Sequence, residues 1–243
     1  MQVQPGPLKR KLFMALLSGW LALGALPTTS LAFENTMAER TRACTACHGD
    51  QGRAGPDGYY PRLAGKPAGY LYNQLENFQQ GRRQYGLMQA LIDPLSRDYL
   101  RAMAVYFSEL HIPYPAPAPA TAPPAVLASG RTLVLEGDVK RGLPACVSCH
   151  GQALTGVQPF TPGLLGLPRD YLNAQLGGWQ TGQRKGHSPD CMATIAKRLS
   201  DADVNAISQW LSSQPVPANS TAVATRPAQP RGTPALPDCG SAP

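Results

Sequence analysis

Two groups of the form Cys-x-x-Cys-His stand in the chain, and residues of these types at this spacing can attach haem. The groups are Cys44-Thr45-Ala46-Cys47-His48 and Cys146-Val147-Ser148-Cys149-His150. On a helix, side chains three residues apart lie on one face, so the two thiols of a group can reach both vinyl groups of one haem. The histidine that follows then meets the iron from the same side. The spacing predicts two covalently bound haem c groups, attached through Cys44, Cys47, Cys146 and Cys149, with His48 and His150 as iron ligands.

Three other uses of a Cys-x-x-Cys pair compete with haem attachment. A thioredoxin-like redox dithiol lies in a strand–helix–strand pattern, which this sequence does not show. A zinc site would not explain the sequence similarity downstream of the two groups, which is described next. In an exported protein, all six cysteines would be expected to form disulfides. That expectation does not account for the histidine after each pair, so haem attachment is the interpretation we adopt.

The two halves of the chain resemble each other well beyond these groups. Residues 60–65 (YPRLAG) correspond to residues 161–166 (TPGLLG), and residues 70–75 (YLYNQL) correspond to residues 171–176 (YLNAQL). The offset between the halves is 101 residues here and 102 residues at the haem groups. Self-similarity at a fixed separation indicates a duplicated structural unit. The chain is therefore predicted to contain two copies of one domain.

A histidine-bound iron has a second axial position, and the repeat offers one pair of methionines for it. Met88 and Met192 lie at equivalent places, which the sequence predicts to be loops between the second and third helices of each copy. Methionine–histidine ligation raises the reduction potential and closes both axial positions. It thus favours electron transfer over catalysis at the iron. Met103, by contrast, falls on the apolar face of a predicted helix and is expected in the core.

Pro61 and Pro162 are also equivalent in the repeat, and we predict that they support the iron ligands. A backbone carbonyl at such a position can accept a hydrogen bond from an iron-binding histidine, which fixes the ring and raises its basicity. The competing interpretation for each proline is a plain turn.

The elements that must position these residues are helices, and the predicted fold class is all-α. Apolar and polar residues do not alternate over any long stretch, so strands are not the main element. In each copy the first helix is predicted to end at the haem group. The second helix carries an apolar stripe, and the third begins after an N-cap serine, Ser96 or Ser200. The stripes of the second helices are Leu71, Leu75, Phe78 and Leu172, Leu176, Trp179, and those of the third are Leu100, Met103, Phe107 and Val204, Ile207, Leu211.

Shifts in composition divide the chain into five parts. Residues 1–32 have a basic start and a short apolar run and end in Ser-Leu-Ala, as a cleavable export signal does. That run is shorter than the ~20 residues of a spanning helix. Residues 33–112 and 126–213 are predicted to be the two haem domains, joined by an extended Pro/Ala-rich linker at 113–125. Residues 214–243 are predicted to be an irregular tail. The signal predicts the periplasm, with membrane association only through partners or an uncleaved signal.

The net charge does not indicate a nucleic-acid partner. The formal charge is +7, and removal of residues 1–32 lowers it to +4. Two haems bring four propionates, which nearly cancel this excess. The chain also has no basic run interleaved with aromatic residues. We therefore predict no nucleic-acid binding.

Two cysteines remain once four are assigned to haem. Cys239 lies in the tail, and Cys191 directly precedes Met192. Because the predicted compartment is oxidising, we expect a disulfide between Cys191 and Cys239. In the alternative, Cys191 is itself an iron ligand.

The haem groups, the two methionines and the repeated Pro-x-Leu-x-Gly and Tyr-Leu-x-x-Gln-Leu segments together resemble the cytochrome c4 family over about residues 36–213. The resemblance implies two tandem class I cytochrome c domains whose haem propionate edges face each other. It also implies electron shuttling in a respiratory chain, from a cytochrome bc complex to a terminal oxidase. The linker, Cys191 and the tail with Cys239 depart from the family pattern and leave the partner open.

Three functions are therefore carried forward. The first, and the one we favour, is a free periplasmic electron carrier. The second is the electron-accepting subunit of a dehydrogenase, such as a flavoprotein that oxidises sulfide, with the tail as a docking element. The third is a haem enzyme, for instance a thiosulfate-oxidising one with Cys191 as an axial ligand.

Overall fold

Helices form most of the regular structure in residues 34–55, 57–229 and 231–242, which are the residues that the computed structural model describes. The helices are α1 (Met37–Arg40), α2 (Thr45–His48), α3 (Ala68–Gln79), α4 (Gly86–Ile92), α5 (Arg97–Ser108), α6 (Pro124–Leu135), α7 (Val147–His150), α8 (Arg169–Thr181), α9 (Cys191–Ala196) and α10 (Asp201–Ser213). Short 3-10 turns cover Arg42–Cys44 and Asp50–Gly52. One small antiparallel sheet pairs β1 (Gly156–Val157) with β2 (Thr161–Pro162). The predicted all-α class is confirmed.

The long helices of each copy pack on one another through the predicted apolar stripes. In copy one, α3 packs on α5, and Leu100, Met103 and Phe107 of α5 are buried. In copy two, α10 packs on both α6 and α8, with Leu172 and Leu211 buried. Both copies belong to one compact unit of the chain, which begins at Thr36.

Serine caps start the last long helix of each copy, α5 or α10, as predicted. The Ser96 side chain accepts a hydrogen bond from the backbone N–H of Tyr99, and Ser200 accepts one from that of Asp203. The Asp203 carboxylate in turn accepts a hydrogen bond from the Ser200 backbone N–H, which completes a capping box. Caps of this kind stabilise a helix by about 1 kcal/mol each.

The first helix of copy two differs from the prediction. α6 ends at Leu135, well before the haem group, and α7 is a separate single turn that carries the end of that group. Gly137 explains the break, because its φ of +74° is left-handed and its N–H bonds the Thr132 carbonyl. This is a common way for a helix to end at glycine. α6 also begins at Pro124, inside the predicted linker of residues 113–125.

The linker and the tail both contact the haem-bearing halves. Arg62 donates hydrogen bonds to the carbonyls of Ile112 and Pro113, and its guanidinium lies 3.9 Å from the centre of the Tyr114 ring. In the tail, Val223 forms a bridge to β1. The tail therefore contacts copy two at Val223.

No helix in the described ranges is both long and apolar enough to cross a membrane. The predicted export signal, residues 1–32, lies outside those ranges.

Candidate haem sites

Each motif histidine is buried and held by one backbone carbonyl. Nδ1 of His48 donates a hydrogen bond of 2.8 Å to the Pro61 carbonyl, and Nδ1 of His150 donates one of 2.7 Å to the Pro162 carbonyl. The histidines are 9% and 7% exposed. A donating Nδ1 fixes the tautomer in which Nε2 carries a free lone pair, which is the arrangement that metal-binding histidines use. The equivalent prolines thus hold equivalent rings.

Burial keeps both imidazoles neutral. Loss of solvation is the largest influence, and it lowers the pKa of His48 and of His150. The proline carbonyls raise each pKa, whereas nearby cations lower it further: Arg83 for His48, and Lys66 and Arg226 for His150. Neutral imidazole is the form that binds a metal. Both rings are therefore in their ligand form at neutral pH.

A glycine ends the helical turn directly after each histidine. Gly49 has a φ of +73° and Gly151 a φ of +85°, in the left-handed region that favours glycine. A Cβ on Gly49 would lie 2.4 Å from the Ala54 carbonyl oxygen. The chain thus folds back too closely at Gly49 for a larger residue.

The motif thiols are unsuited to redox dithiol chemistry. Cys44, Cys47, Cys146 and Cys149 are all free thiols in the structure. Burial raises the pKa of Cys44 and of Cys149, and it raises the pKa of Cys146 to about 12. Redox dithiols instead lower the pKa of the attacking thiol. Two free thiols beside a histidine with an available Nε2 are the donor set that covalently attached haem requires.

Met88 and Met192 lie on short helices and not in the loops that the sequence predicted. Met88 is in α4, which lies between α3 and α5, and Met192 is in α9, which lies between α8 and α10. Both side chains are half-buried, and Met88 packs against the cluster that contains Ile92 and Leu100. Helices of six or seven residues are too short for an apolar period to reveal them.

A pair of equivalent glutamines, which the sequence analysis did not single out, anchors the two methionine helices. Nε2 of Gln79 donates a hydrogen bond of 2.9 Å to the Leu95 carbonyl, and Nε2 of Gln180 donates one of 2.9 Å to the Leu199 carbonyl. Each carbonyl lies just beyond the methionine helix and just before the long helix that follows it, α5 or α10. The glutamines are 101 residues apart, so the repeat contained the signal that would have identified them.

Four side chains join the two copies in a nearly twofold arrangement. Arg83 donates to Gln74 of its own copy at 3.1 Å and to Gln175 of the other copy at 2.8 Å. Arg184 donates to Gln175 at 2.7 Å and to Gln74 at 3.0 Å. The backbones of the two arginines also form an antiparallel bridge. These glutamine partners are neutral, so these contacts do not neutralise the charges of the two guanidinium groups at the boundary between the copies.

Cys191 and Cys239 form a disulfide, with their sulfur atoms 1.99 Å apart. Beyond it, the tail contacts both copies. The Ser241 carbonyl accepts a hydrogen bond of 2.9 Å from Nδ2 of Asn73, and Oγ of Ser241 accepts one of 3.0 Å from the backbone N–H of His187. Because α9 begins at Cys191, the tail is fixed to the start of the helix that carries the copy-two methionine. A sulfur in a disulfide is not available as an iron ligand.

Cys239→Ser is expected to loosen α9 and to leave the haem site of copy one unchanged. The disulfide spans a sequence separation of 48 residues, and its loss costs up to about 4 kcal/mol through loop entropy. Chemical denaturation should therefore show a less stable copy two. Thiol labelling of the denatured, unreduced protein should find no free thiol in the parent chain and one in the variant. Two free thiols in the parent would contradict the disulfide.

The sequence can now be compared with known proteins. No family model matches the chain. It is 38% identical, over 86% of this chain and 93% of the relative, to a thiosulfate dehydrogenase electron acceptor of Thiomonas intermedia. It is 31% identical, over 71% of this chain and 84% of the relative, to cytochrome c4 of Pseudomonas aeruginosa.

Solved structures give the same result. A thiosulfate dehydrogenase from Marichromatium purpuratum matches with a TM-score of 0.66 and 33% identity. The match covers 76% of this chain and 40% of the dehydrogenase chain, so this chain spans less than half of the dehydrogenase. Reduced cytochrome c4 from Pseudomonas stutzeri matches with a TM-score of 0.61 and 29% identity, over 72% of this chain and 95% of that chain. With two buried histidines, each following a pair of free thiols, this similarity shows that the chain belongs to the cytochrome c4 family, whose members are electron-transfer proteins with two covalently attached haem c groups.

Proposed function

We propose that this protein is a periplasmic electron carrier that accepts electrons from a thiosulfate dehydrogenase and passes them to a respiratory acceptor such as a terminal oxidase. The proposed electron donor rests on sequence identity. The chain is 38% and 37% identical to two relatives named as thiosulfate dehydrogenase electron acceptors, and it is 31% identical to the P. aeruginosa cytochrome c4. The first of these alignments also covers 86% of the chain, against 71% for that cytochrome c4. A cytochrome bc complex, the donor implied by the family resemblance, is the second candidate.

The proposal assigns a role to each site residue. The thiols of the two motifs would attach the haems, and His48 and His150 would bind the irons. Met88 and Met192 would be the second protein ligands of the two irons, which would leave no position for a substrate. Bound haem supplies a one-electron change between ferric and ferrous iron. The attaching thiols are Cys44, Cys47, Cys146 and Cys149.

The chain's own residues support this exchange by holding the ligands still. The Pro61 and Pro162 carbonyls fix the two imidazoles at 2.8 and 2.7 Å. A ligand that keeps its position in both oxidation states reduces the rearrangement that electron transfer requires. Arg83 and Arg184 each donate a hydrogen bond to a glutamine of the other copy, which holds the two haem-bearing copies together.

The donor can be tested with the purified, oxidised holoprotein under anaerobic conditions. Thiosulfate and a catalytic amount of thiosulfate dehydrogenase should reduce both haems, which the visible absorption bands would report. Thiosulfate without the dehydrogenase should reduce neither. If a reduced cytochrome bc complex reduces the protein and the dehydrogenase does not, the proposed donor is wrong and the second candidate replaces it.

The compartment rests on the predicted signal of residues 1–32. Cell fractionation with determination of the mature N-terminus would test it, and a chain that begins at residue 33 in the periplasmic fraction is the expected result. A holoprotein found only in the membrane fraction, with the signal still attached, would contradict the free carrier.

A further inference from the structure

Lys66 is a buried cation of copy one that contacts copy two. Its side chain is 5% exposed, and Nζ donates a hydrogen bond of 3.0 Å to the Gly163 carbonyl. Gly163 directly follows Pro162, whose carbonyl holds the imidazole of His150. The Lys66 ammonium therefore lies against the loop that positions the proposed iron ligand of the other copy.

The repeat shows that packing does not require a cation here. Lys66 corresponds to Leu167, and each precedes the proline, Pro67 or Pro168, that stands directly before α3 or α8. Leu167 is also buried, at 9% exposed. The same position is thus filled by an apolar side chain in one copy and by a charge in the other. Burial of a lysine costs solvation free energy. A lysine at a position where the other copy packs a leucine therefore indicates a function other than packing.

The charge of Lys66 acts on His150. Its Nζ lies 3.0 Å from the Gly163 carbonyl, and the carbonyl of the preceding residue, Pro162, lies 2.7 Å from Nδ1 of His150, so the ammonium is close to that imidazole. A field that disfavours positive charge on the imidazole also disfavours the extra positive charge of an oxidised iron bound to that imidazole. The reduced state is favoured by the same field.

We propose that Lys66 is a positioning residue for electron transfer: its ammonium, fixed on the Gly163 carbonyl, raises the reduction potential of the haem held at His150. The proposal rests on the assignment of His150 as an iron ligand and does not depend on which protein donates the electrons. Copy two has Leu167 at the equivalent position. The charge of copy one therefore acts on the haem of copy two, and no charge at the equivalent position of copy two acts on the haem of copy one.

The effect should depend on pH. Burial lowers the pKa of Lys66 to about 8, and Arg62 acts in the same direction. The other groups near this contact are Arg226, which acts on His150, and Tyr114, which stacks on Arg62 and has a pKa raised by burial. Because burial raises its pKa, Tyr114 stays neutral near pH 8. The potential of the second haem should therefore fall as the pH rises through about 8, because the ammonium is lost.

Two substitutions in the holoprotein separate charge from packing. Lys66→Met removes the charge in a flexible apolar side chain, and Lys66→Arg keeps the charge. In spectroelectrochemical titration at pH 7, Lys66→Met should raise the oxidised-to-reduced ratio of the second haem several-fold at a fixed applied potential. It should also remove the pH dependence near 8, while Lys66→Arg retains the potential of the parent protein. The exposed Lys197, changed to Met, is the matched control and should have no effect.

The two haems can be followed separately by NMR, through the methionine resonances of the reduced protein. Thermal unfolding should show that Lys66→Met folds, since leucine occupies the equivalent site in copy two. An unchanged potential of the second haem in Lys66→Met would overturn the proposal. A fall of that potential in Lys66→Arg as large as the fall in Lys66→Met would overturn it too. A parent protein whose peptide with Cys146 and Cys149 carries no haem would instead overturn the second haem site itself, and the proposed electron donor would still be decided by its own test.

Discussion

Met192→Ala is expected to lower the reduction potential of the second haem and leave the first unchanged, and Met88→Ala should have the reverse effect. A thioether ligand stabilises ferrous iron, so its removal favours the oxidised state of the haem that loses it. The near-infrared sulfur-to-iron band, which the family resemblance implies for the oxidised protein, should lose about half its intensity in each variant, because each of two haems contributes to it. Near-infrared absorption and spectroelectrochemistry would measure the two effects.

Met103 provides the control for these variants. It is a buried methionine of α5, 6% exposed, and Met103→Leu conserves volume and apolar character. This change should leave both potentials and the near-infrared band unaltered. If Met88→Ala and Met192→Ala also leave them unaltered, the iron ligands lie elsewhere in the chain.

The sequence predicted best where one residue type has a local physical role. Ser96 and Ser200 start helices because a hydroxyl next to an apolar stripe caps the first turn, and both caps are present. The repeat located Pro61 and Pro162 against their histidines without knowledge of the fold. The caps were predicted from neighbouring residues in the sequence, and the prolines were predicted from equivalent positions in the repeat.

The sequence predicted less where distant segments determine the structure. The separation of α6 from the haem group depends on the conformation of Gly137, which an apolar pattern does not reveal. The partners of Lys66 and Arg83 lie in the other copy, so no local pattern identifies them. The methionine helices are short and are held by long-range bonds from Gln79 and Gln180. Tertiary contacts, not helix propensity, stabilise such short elements.

The joint change of Cys146 and Cys149 to serine is expected to unfold most of copy two. α7 and α9 have four and six residues, too few to be stable without packing. The half that contains them has roughly 90 residues, a size at which a core is marginal without a covalent or cofactor staple. Cys146 itself packs against the core of copy two. Loss of the attached haem would therefore remove both a staple and a large apolar surface from this core.

Mass spectrometry of the denatured variant should show one haem fewer, and far-UV circular dichroism should lose the signal of α6, α8 and α10. Joint change of Cys44 and Cys47 to serine is the matched control, because it removes the first haem and leaves the core of copy two intact. Copy one should remain folded but less stable in the copy-two variant, since it loses the Arg83–Gln175 contact and the hydrogen bond of 3.1 Å from the Tyr70 N–H to the Pro159 carbonyl. A variant with one haem that keeps its full helix content and melting temperature would show that the helices fold independently of haem.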